Sequence, residues 1–153
     1  MPMPLDISQI TEYLYISALL RTRHAEDIRE LNINLIMNMI HHPPARVYKE
    51  YPFQLLTLST FDSPLFPIPV RKLIKGVEIA IPVIDNHQKV LIYCREGKHR
   101  SVAMGSAILI AKGFNADDAM QLIGTQREVA DPFASYIQKQ IRKFEQVWST
   151  NSR

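Results

Sequence analysis

The stretch Val90-Leu91-Ile92-Tyr93-Cys94-Arg95-Glu96-Gly97-Lys98-His99-Arg100-Ser101-Val102 passes from an apolar run through a short polar one into a second apolar run. Val90 to Tyr93 reads as a buried strand. The run from Arg100 to about Lys112 reads as a helix stopped by Gly113 at its C′ position. A strand, a glycine-bearing loop and a helix start make an anion cradle, because unpaired N–H groups and the helix dipole converge there. Cys94, the only cysteine in 153 residues, opens this cradle, and Arg100, six residues on, closes it.

A thiol at a helix N-terminus among cations is biased towards thiolate, which is both a good nucleophile and an acceptable leaving group. Arg95, Lys98 and Arg100 supply positive charge, and Glu96 opposes it. The backbone amides can line a nest for three oxyanion oxygens, and Gly97 relieves the side-chain clash of such a tight curl. Arg100 offers a planar fork for two of those oxygens. Ser101 can donate its hydroxyl to the departing sulfur. A lone cysteine is more often a small buried apolar side chain. Here a glycine, three cations and a strand–helix junction surround it, and the catalytic reading prevails. The chemistry is attack of sulfur on a phosphate ester through a cysteinyl-phosphate, with the cradle holding the charge of the transition state.

Such a reaction needs a proton for the leaving alkoxide or phenoxide. Upstream, Ser59-Thr60-Phe61-Asp62-Ser63-Pro64 is a loop with a carboxylate at its centre. Alone, Asp62 would be read as a turn-forming aspartate. Beside the thiol loop it becomes the candidate general acid, and later base for the hydrolytic water.

Around these two loops the chain alternates strands and helices, which predicts one α/β domain with a central, mainly parallel sheet of about five strands flanked by helices. Ile7–Ile10 and Leu14–Ile16 read as a hairpin or two edge strands, and His24–Leu31 as a short helix. Ile33–Ile40 reads as a buried parallel strand stopped by His41-His42-Pro43-Pro44, and Phe53–Leu58 as another strand. The two histidines are read as a polar turn rather than a metal site. Val70, Leu73, Ile74, Val77, Ile81 and Ile84 form a helical stripe that Pro82 should kink or end. Asn115 is a candidate N-cap for a helix to about Thr125. Asp131-Pro132 should start a final helix to about Trp148, with Phe133, Ile137, Ile141, Phe144 and Trp148 facing the core. The domain is expected to span 1–148, with 149–153 a frayed tail.

A net charge of +3, from 18 basic and 15 acidic residues, with no basic run, gives no case for nucleic acid. An apolar share of 46% is ordinary for a globular chain, but no apolar run approaches the length of about 18 residues that spans a membrane. The opening Met1-Pro2-Met3-Pro4-Leu5-Asp6 has neither a basic n-region nor an apolar core. A single thiol suits a reducing compartment. A monomeric, cytoplasmic protein with no membrane partner is expected.

The segment from Cys94 to Arg100-Ser101, with Gly97 inside it, resembles the phosphate loop of the cysteine-dependent protein tyrosine phosphatases. The spacing is similar to that of the dual-specificity branch, with an Asp-bearing loop 32 residues upstream. The opening Ile10-Thr11-Glu12-Tyr13-Leu14-Tyr15-Ile16-Ser17 and the helices through Arg127 and Pro132 also follow that family's pattern, so the resemblance covers nearly the whole chain. It implies Cys94 as nucleophile and Arg100 as phosphate ligand and transition-state stabiliser. It implies Asp62 as general acid, Ser101 as helper of the leaving thiolate, and the amides of Arg95, Glu96, Gly97, Lys98, His99 and Arg100 as the lining of the cradle. It implies Asn38 as a brace for the loop, and neither cofactor nor metal. The substrate it implies is a phosphorylated protein or a small anionic phosphate.

Two departures stand out. Tyr93 occupies the place where the family usually has a histidine that supports the thiolate. Gly97-Lys98-His99-Arg100 resembles the loop of atypical members from plants and fungi that act on inositol pyrophosphates, where Lys98 and His99 would add charge beside the pocket. The chain is too short for the larger tyrosine-specific domain, so a shallow pocket admitting phosphoserine and phosphothreonine is expected. The alternatives are a phosphatase for inositol phosphates or phosphoinositides, a sulfurtransferase, and a non-catalytic phosphate-binding module.

Overall fold

β-Branched and other apolar residues dominate the strands, which pair into one five-stranded sheet in the order β1-β2-β5-β3-β4. The structure, a computed structural model, describes residues 4–151. β1 (Ile7–Gln9) and β2 (Leu14–Ser17) form the expected antiparallel hairpin, turned at Thr11, whose hydroxyl accepts the Tyr13 amide. Only β1 is an edge. β2 is interior and runs parallel to β5 (Lys89–Tyr93), as its complete burial requires. β5 also pairs in parallel with β3 (Ile33–Asn38), which pairs in parallel with β4 (Gln54–Thr57). Four strands are therefore parallel and one is antiparallel.

Both faces of the sheet are covered, and this makes β5 apolar and buried from Val90 to Tyr93. Short helix α1 (Ala25–Glu30) packs on β3, as does α2 (Val70–Asp85). Helix α3 (Arg100–Ala111) lies against β2 and β5, with α2, α4 (Ala116–Gln126) and α5 (Ser135–Asn151) around it. Every residue of α3 from Ser101 to Ile110 is buried, so this helix is apolar all round rather than striped. Each such fully buried Val, Ile or Leu stabilises the fold by about 1.5–3 kcal/mol. Gly113, at φ +114, ends the helix, with the Phe114 amide reaching back to the Leu109 carbonyl. The Asn115 side chain caps α4 by accepting the Asp118 amide at 2.8 Å.

Two expectations fail at element ends. Pro82 does not end α2, which runs on to Asp85; it sits in the last turn on the solvent side, where water can take the carbonyl it strands. The last helix begins at Ser135 rather than Asp131, because Asp131 is engaged elsewhere: its amide donates to Lys98 and its carboxylate meets His99. Phe133 consequently leaves the core stripe and is half exposed, while Ile137, Ile141 and Phe144 are buried as expected. Residues 149–151 continue α5, and the rest of the expected tail lies outside the described residues.

Candidate active site

Cys94 stands at the C-terminal end of the central strand, where open parallel sheets place their ligands. From there residues 95–99 curl into the N-terminus of α3. The curl is held from outside by its own carbonyls. Arg95 C=O accepts the Leu19 amide at 3.1 Å, and Lys98 C=O accepts the Asp131 amide at 3.0 Å. His99 C=O accepts the Ala103 amide, the first turn of α3. The remaining two carbonyls, of Glu96 and Gly97, accept from Arg127 at 3.0 and 2.8 Å. A trans peptide directs its N–H opposite to its C=O. With the carbonyls turned outward, the amides of residues 96–99 turn inward, and none has an acceptor among the described residues. They face a cavity of about 160 Å³ lined by Asp62, Cys94, Arg95, Glu96, Lys98, His99 and Arg100.

Arg127 was not singled out from the sequence as a site residue. Its side chain is 1% exposed and makes five hydrogen bonds: two to the loop carbonyls, two to the Asp6 carboxylate at 3.0 Å, and one to the Ser8 hydroxyl at 3.1 Å. Its partners lie 30 and about 120 residues away, so no local pattern announces it. Gly97, at φ +66, has its back to this arginine. A Cβ there would press on the Arg127 guanidinium and come within 2.8 Å of the Ser17 carbonyl. The glycine therefore serves the close approach of Arg127 and does not itself line the cavity; it can offer the cavity only its amide.

The Cys94 thiol is 3% exposed and lies 3.2 Å from the Ser101 hydroxyl, which is itself fully buried. Arg100 donates Nη1 to the Thr60 carbonyl at 3.0 Å. Its Nε is buried without a partner among the described residues, so the Nε–Nη2 edge is free for an oxyanion. An unpaired buried N–H costs about 1–3 kcal/mol, which a bound oxygen would recover.

Asp62 comes to the cavity from the long connection between β4 and α2. Two donors hold it there: the Tyr136 hydroxyl from α5 at 2.6 Å and His99 Nδ1 at 3.0 Å. Burial alone would raise its carboxyl, but those hydrogen bonds, together with the His99 and Arg100 charges, outweigh it and hold Asp62 below the usual carboxylate range. The phenol of Tyr136 is pushed up to about 12, first by burial and then by Asp62, so it remains a donor. The other ring nitrogen of His99 is 3.4 Å from Asp131. The imidazole of His99 is thus spent on two carboxylates and braces the acid loop, although the residue lines the cavity as expected. The side chains of Arg95, Glu96 and Lys98 are exposed at its mouth.

The expected brace acts elsewhere, and Tyr93 turns away from the loop. Asn38 is fully buried, but its side chain bonds the Ile40 amide and His42 carbonyl, fixing the turn after β3 rather than the thiol loop. Ile92 lies towards Gly105 of α3, so alternation turns Tyr93 to the opposite sheet face, in the company of Tyr48. Burial pushes the Tyr93 phenol well above its ordinary range, and it bonds no loop group among the described residues. The histidine pair forms the expected bend, with the His41 ring packed at a tilt against Phe61, 4.5 Å between centroids. No cluster with metal-ligating composition occurs among the described residues.

No family model matches the chain. Human dual specificity phosphatase 28 is 20% identical to it over 156 aligned positions, covering 99% of this chain and 84% of that protein. Among solved structures, a mouse dual specificity phosphatase complexed with zinc tungstate is 24% identical with a TM-score of 0.83, covering 99% of this chain and 92% of the other. PTPMT1 in complex with PI(5)P is 19% identical with a TM-score of 0.85, covering 96% and 99%. The structural likenesses show the fold. That fold is the one these dual-specificity and related phosphatases share, and the sequence likeness to human dual specificity phosphatase 28 runs the length of the chain.

Proposed function

We propose that the protein hydrolyses phosphate monoesters on proteins, at phosphotyrosine and at phosphoserine or phosphothreonine, through a cysteinyl-phosphate. The observation that carries this reading is the convergence of inward amides and the free edge of Arg100 on a cavity that reaches Cys94. The Cys94 sulfur attacks phosphorus, and the bond from phosphorus to the leaving oxygen breaks. Asp62 gives that oxygen its proton. The loop amides and Arg100 take the equatorial oxygens as their charge grows. Water then attacks the phosphocysteine with Asp62 as base, and the Ser101 hydroxyl donates to the sulfur as it departs. The small cavity supports a shallow site open to phosphoserine and phosphothreonine. The lone thiol supports a reducing compartment, and this reading takes the protein as a cytoplasmic monomer; no described helix is long and apolar enough to cross a membrane.

A leaving-group series tests the assignment. Asp62→Asn should slow release of a poor leaving group, such as an alkyl alcohol, by about 10²-fold or more, and release of a good one, such as nitrophenol, by far less. Equal losses on both would remove Asp62 from the role of acid.

The pH profile of kcat/KM reports the free enzyme. An acid held below its usual range is lost as pH rises through that lowered value, so the descending limb should lie at low pH. Tyr136→Phe removes a hydrogen bond that favours the carboxylate, so the limb should move to higher pH. A midpoint that stays or falls would contradict the arrangement.

A second reading, hydrolysis of inositol phosphates or phosphoinositides, draws support from Lys98 at the cavity mouth and from the PI(5)P complex of PTPMT1. Turnover compared across phosphopeptides, nucleotides and inositol phosphates separates the two.

A further inference from the structure

Six large apolar side chains stand exposed on the described surface, and five of them come from the two segments that carry Asp62 and Asp131. Phe61, Leu65 and Phe66 are 55%, 81% and 61% exposed, and Val129 and Phe133 about half. On the Asp62 side these residues are organised. The Phe61 ring packs between those of His41, at 4.5 Å and tilted by 32°, and Phe66, at 5.5 Å and tilted by 49°. Together with Leu65, Arg71 and Lys72 they wall a groove of about 410 Å³. A second groove of about 460 Å³ continues from it, sharing Ser59, Arg71 and Lys72 and adding Lys75. No carboxylate lines either groove, and neither Arg71 nor Lys75 has an ion-pair partner among the described residues. The groove and the catalytic cavity share a wall. Asp62 lines the cavity, Phe61 lines the groove, and the Thr60 carbonyl between β4 and these residues holds Arg100.

We infer that the groove walled by Phe61, Phe66 and Arg71 docks the polypeptide flanking the phosphorylated residue, taking a bulky apolar side chain and then acidic ones. This deepens the phosphatase reading and rests on it. The apolar walls have no use in binding an inositol polyphosphate, which is all hydroxyl and charge. A bilayer takes up protruding side chains, whereas a concavity lined by rings packed at a tilt is filled by a single inserted side chain. The uncompensated cations beyond the rings complement carboxylates and repel a basic flank. A substrate whose phosphate is seated over Cys94 leads its next residues across Phe61 into this space.

The test compares two phosphopeptides alike in length and phosphorylated residue, one flanked by phenylalanine and acidic residues and the other by alanine and lysine, with nitrophenyl phosphate and vesicles containing a phosphoinositide alongside. The acidic–aromatic peptide should be favoured by about tenfold or more in kcat/KM, chiefly through KM. Phe66→Ser with Arg71→Glu should remove most of that preference and leave nitrophenyl phosphate, which ends at the cavity mouth, within about twofold. Equal handling of the two peptides, or an equal loss on nitrophenyl phosphate, overturns the proposal. So does a loss confined to the vesicles, which would identify a lipid surface instead. Binding of the same peptides to the Cys94→Ser protein reads docking without turnover. Weakening by Arg71→Glu in that background supports the groove, and unchanged affinity overturns it. A wild-type protein inert towards nitrophenyl phosphate would overturn the phosphatase reading and leave this binding test intact.

Discussion

Replacing Cys94 by serine is expected to reduce turnover by roughly 10⁴-fold or more while leaving oxyanion binding within a few-fold of the native protein. The substitution changes little volume at a site that is 3% exposed, so the loop should keep its shape. What it removes is an atom that can be anionic at neutral pH. A serine hydroxyl needs a base within hydrogen-bond reach, and none adjoins the sulfur position. The neighbour of the sulfur is the Ser101 hydroxyl, and both ring nitrogens of His99 are occupied by Asp62 and Asp131. The inward amides and the free edge of Arg100 do not depend on the sulfur, so calorimetric titration with phosphate or vanadate should still register binding. Residual turnover near the native rate would refute the nucleophile; lost binding together with lost turnover would mean that the sulfur shapes the cradle as well.

Arg127→Met should lower stability by about 3 kcal/mol, which for a domain of this size lowers Tm by about 6–12 °C. The arginine is almost wholly buried, whereas its partner Asp6 is 58% exposed and can return to water. The loss therefore falls on the carbonyls of Glu96 and Gly97, which are left without their donors. Those carbonyls orient the amides that face the cavity. Turnover should fall with stability, by about tenfold or more even at temperatures where the variant is folded. Arg127→Lys keeps the charge opposite Asp6 but cannot supply the fork, so it should regain stability more than activity. Thermal unfolding and kcat/KM measured together decide the matter. A fully active methionine variant destabilised by less than about 1 kcal/mol would show that the loop holds its own shape.

What could be read in the sequence was local. β5, the loop and α3 are consecutive, so their order, the thiol, the arginine and the serine announce a strand–loop–helix cradle without any knowledge of the rest of the fold. Asp62 could be read because the chemistry of the loop requires a proton donor, not because its own setting points to one. What was missed depends on contacts between distant residues. Arg127 follows a helix end and looks like surface charge until the loop and Asp6 meet it. Tyr136 looks like a polar position of α5 until Asp62 reaches it. Asp131 followed by proline resembles a helix start, but His99 and Lys98 take its carboxylate and amide first, and the helix starts four residues later. Tyr93 could be recognised as a departure from the family. Its orientation away from the cavity required knowing which face of β5 meets α3.

Rapid quenching of the protein during turnover of nitrophenyl phosphate, followed by mass spectrometry of its peptides, tests the chemistry at its root. One phosphoryl group should be found on Cys94, approaching one per protein and accumulating further in Asp62→Asn, where the base for hydrolysis is missing. Steady turnover with no phosphorylated peptide, or with the phosphoryl group on any other side chain, would contradict a cysteinyl-phosphate mechanism.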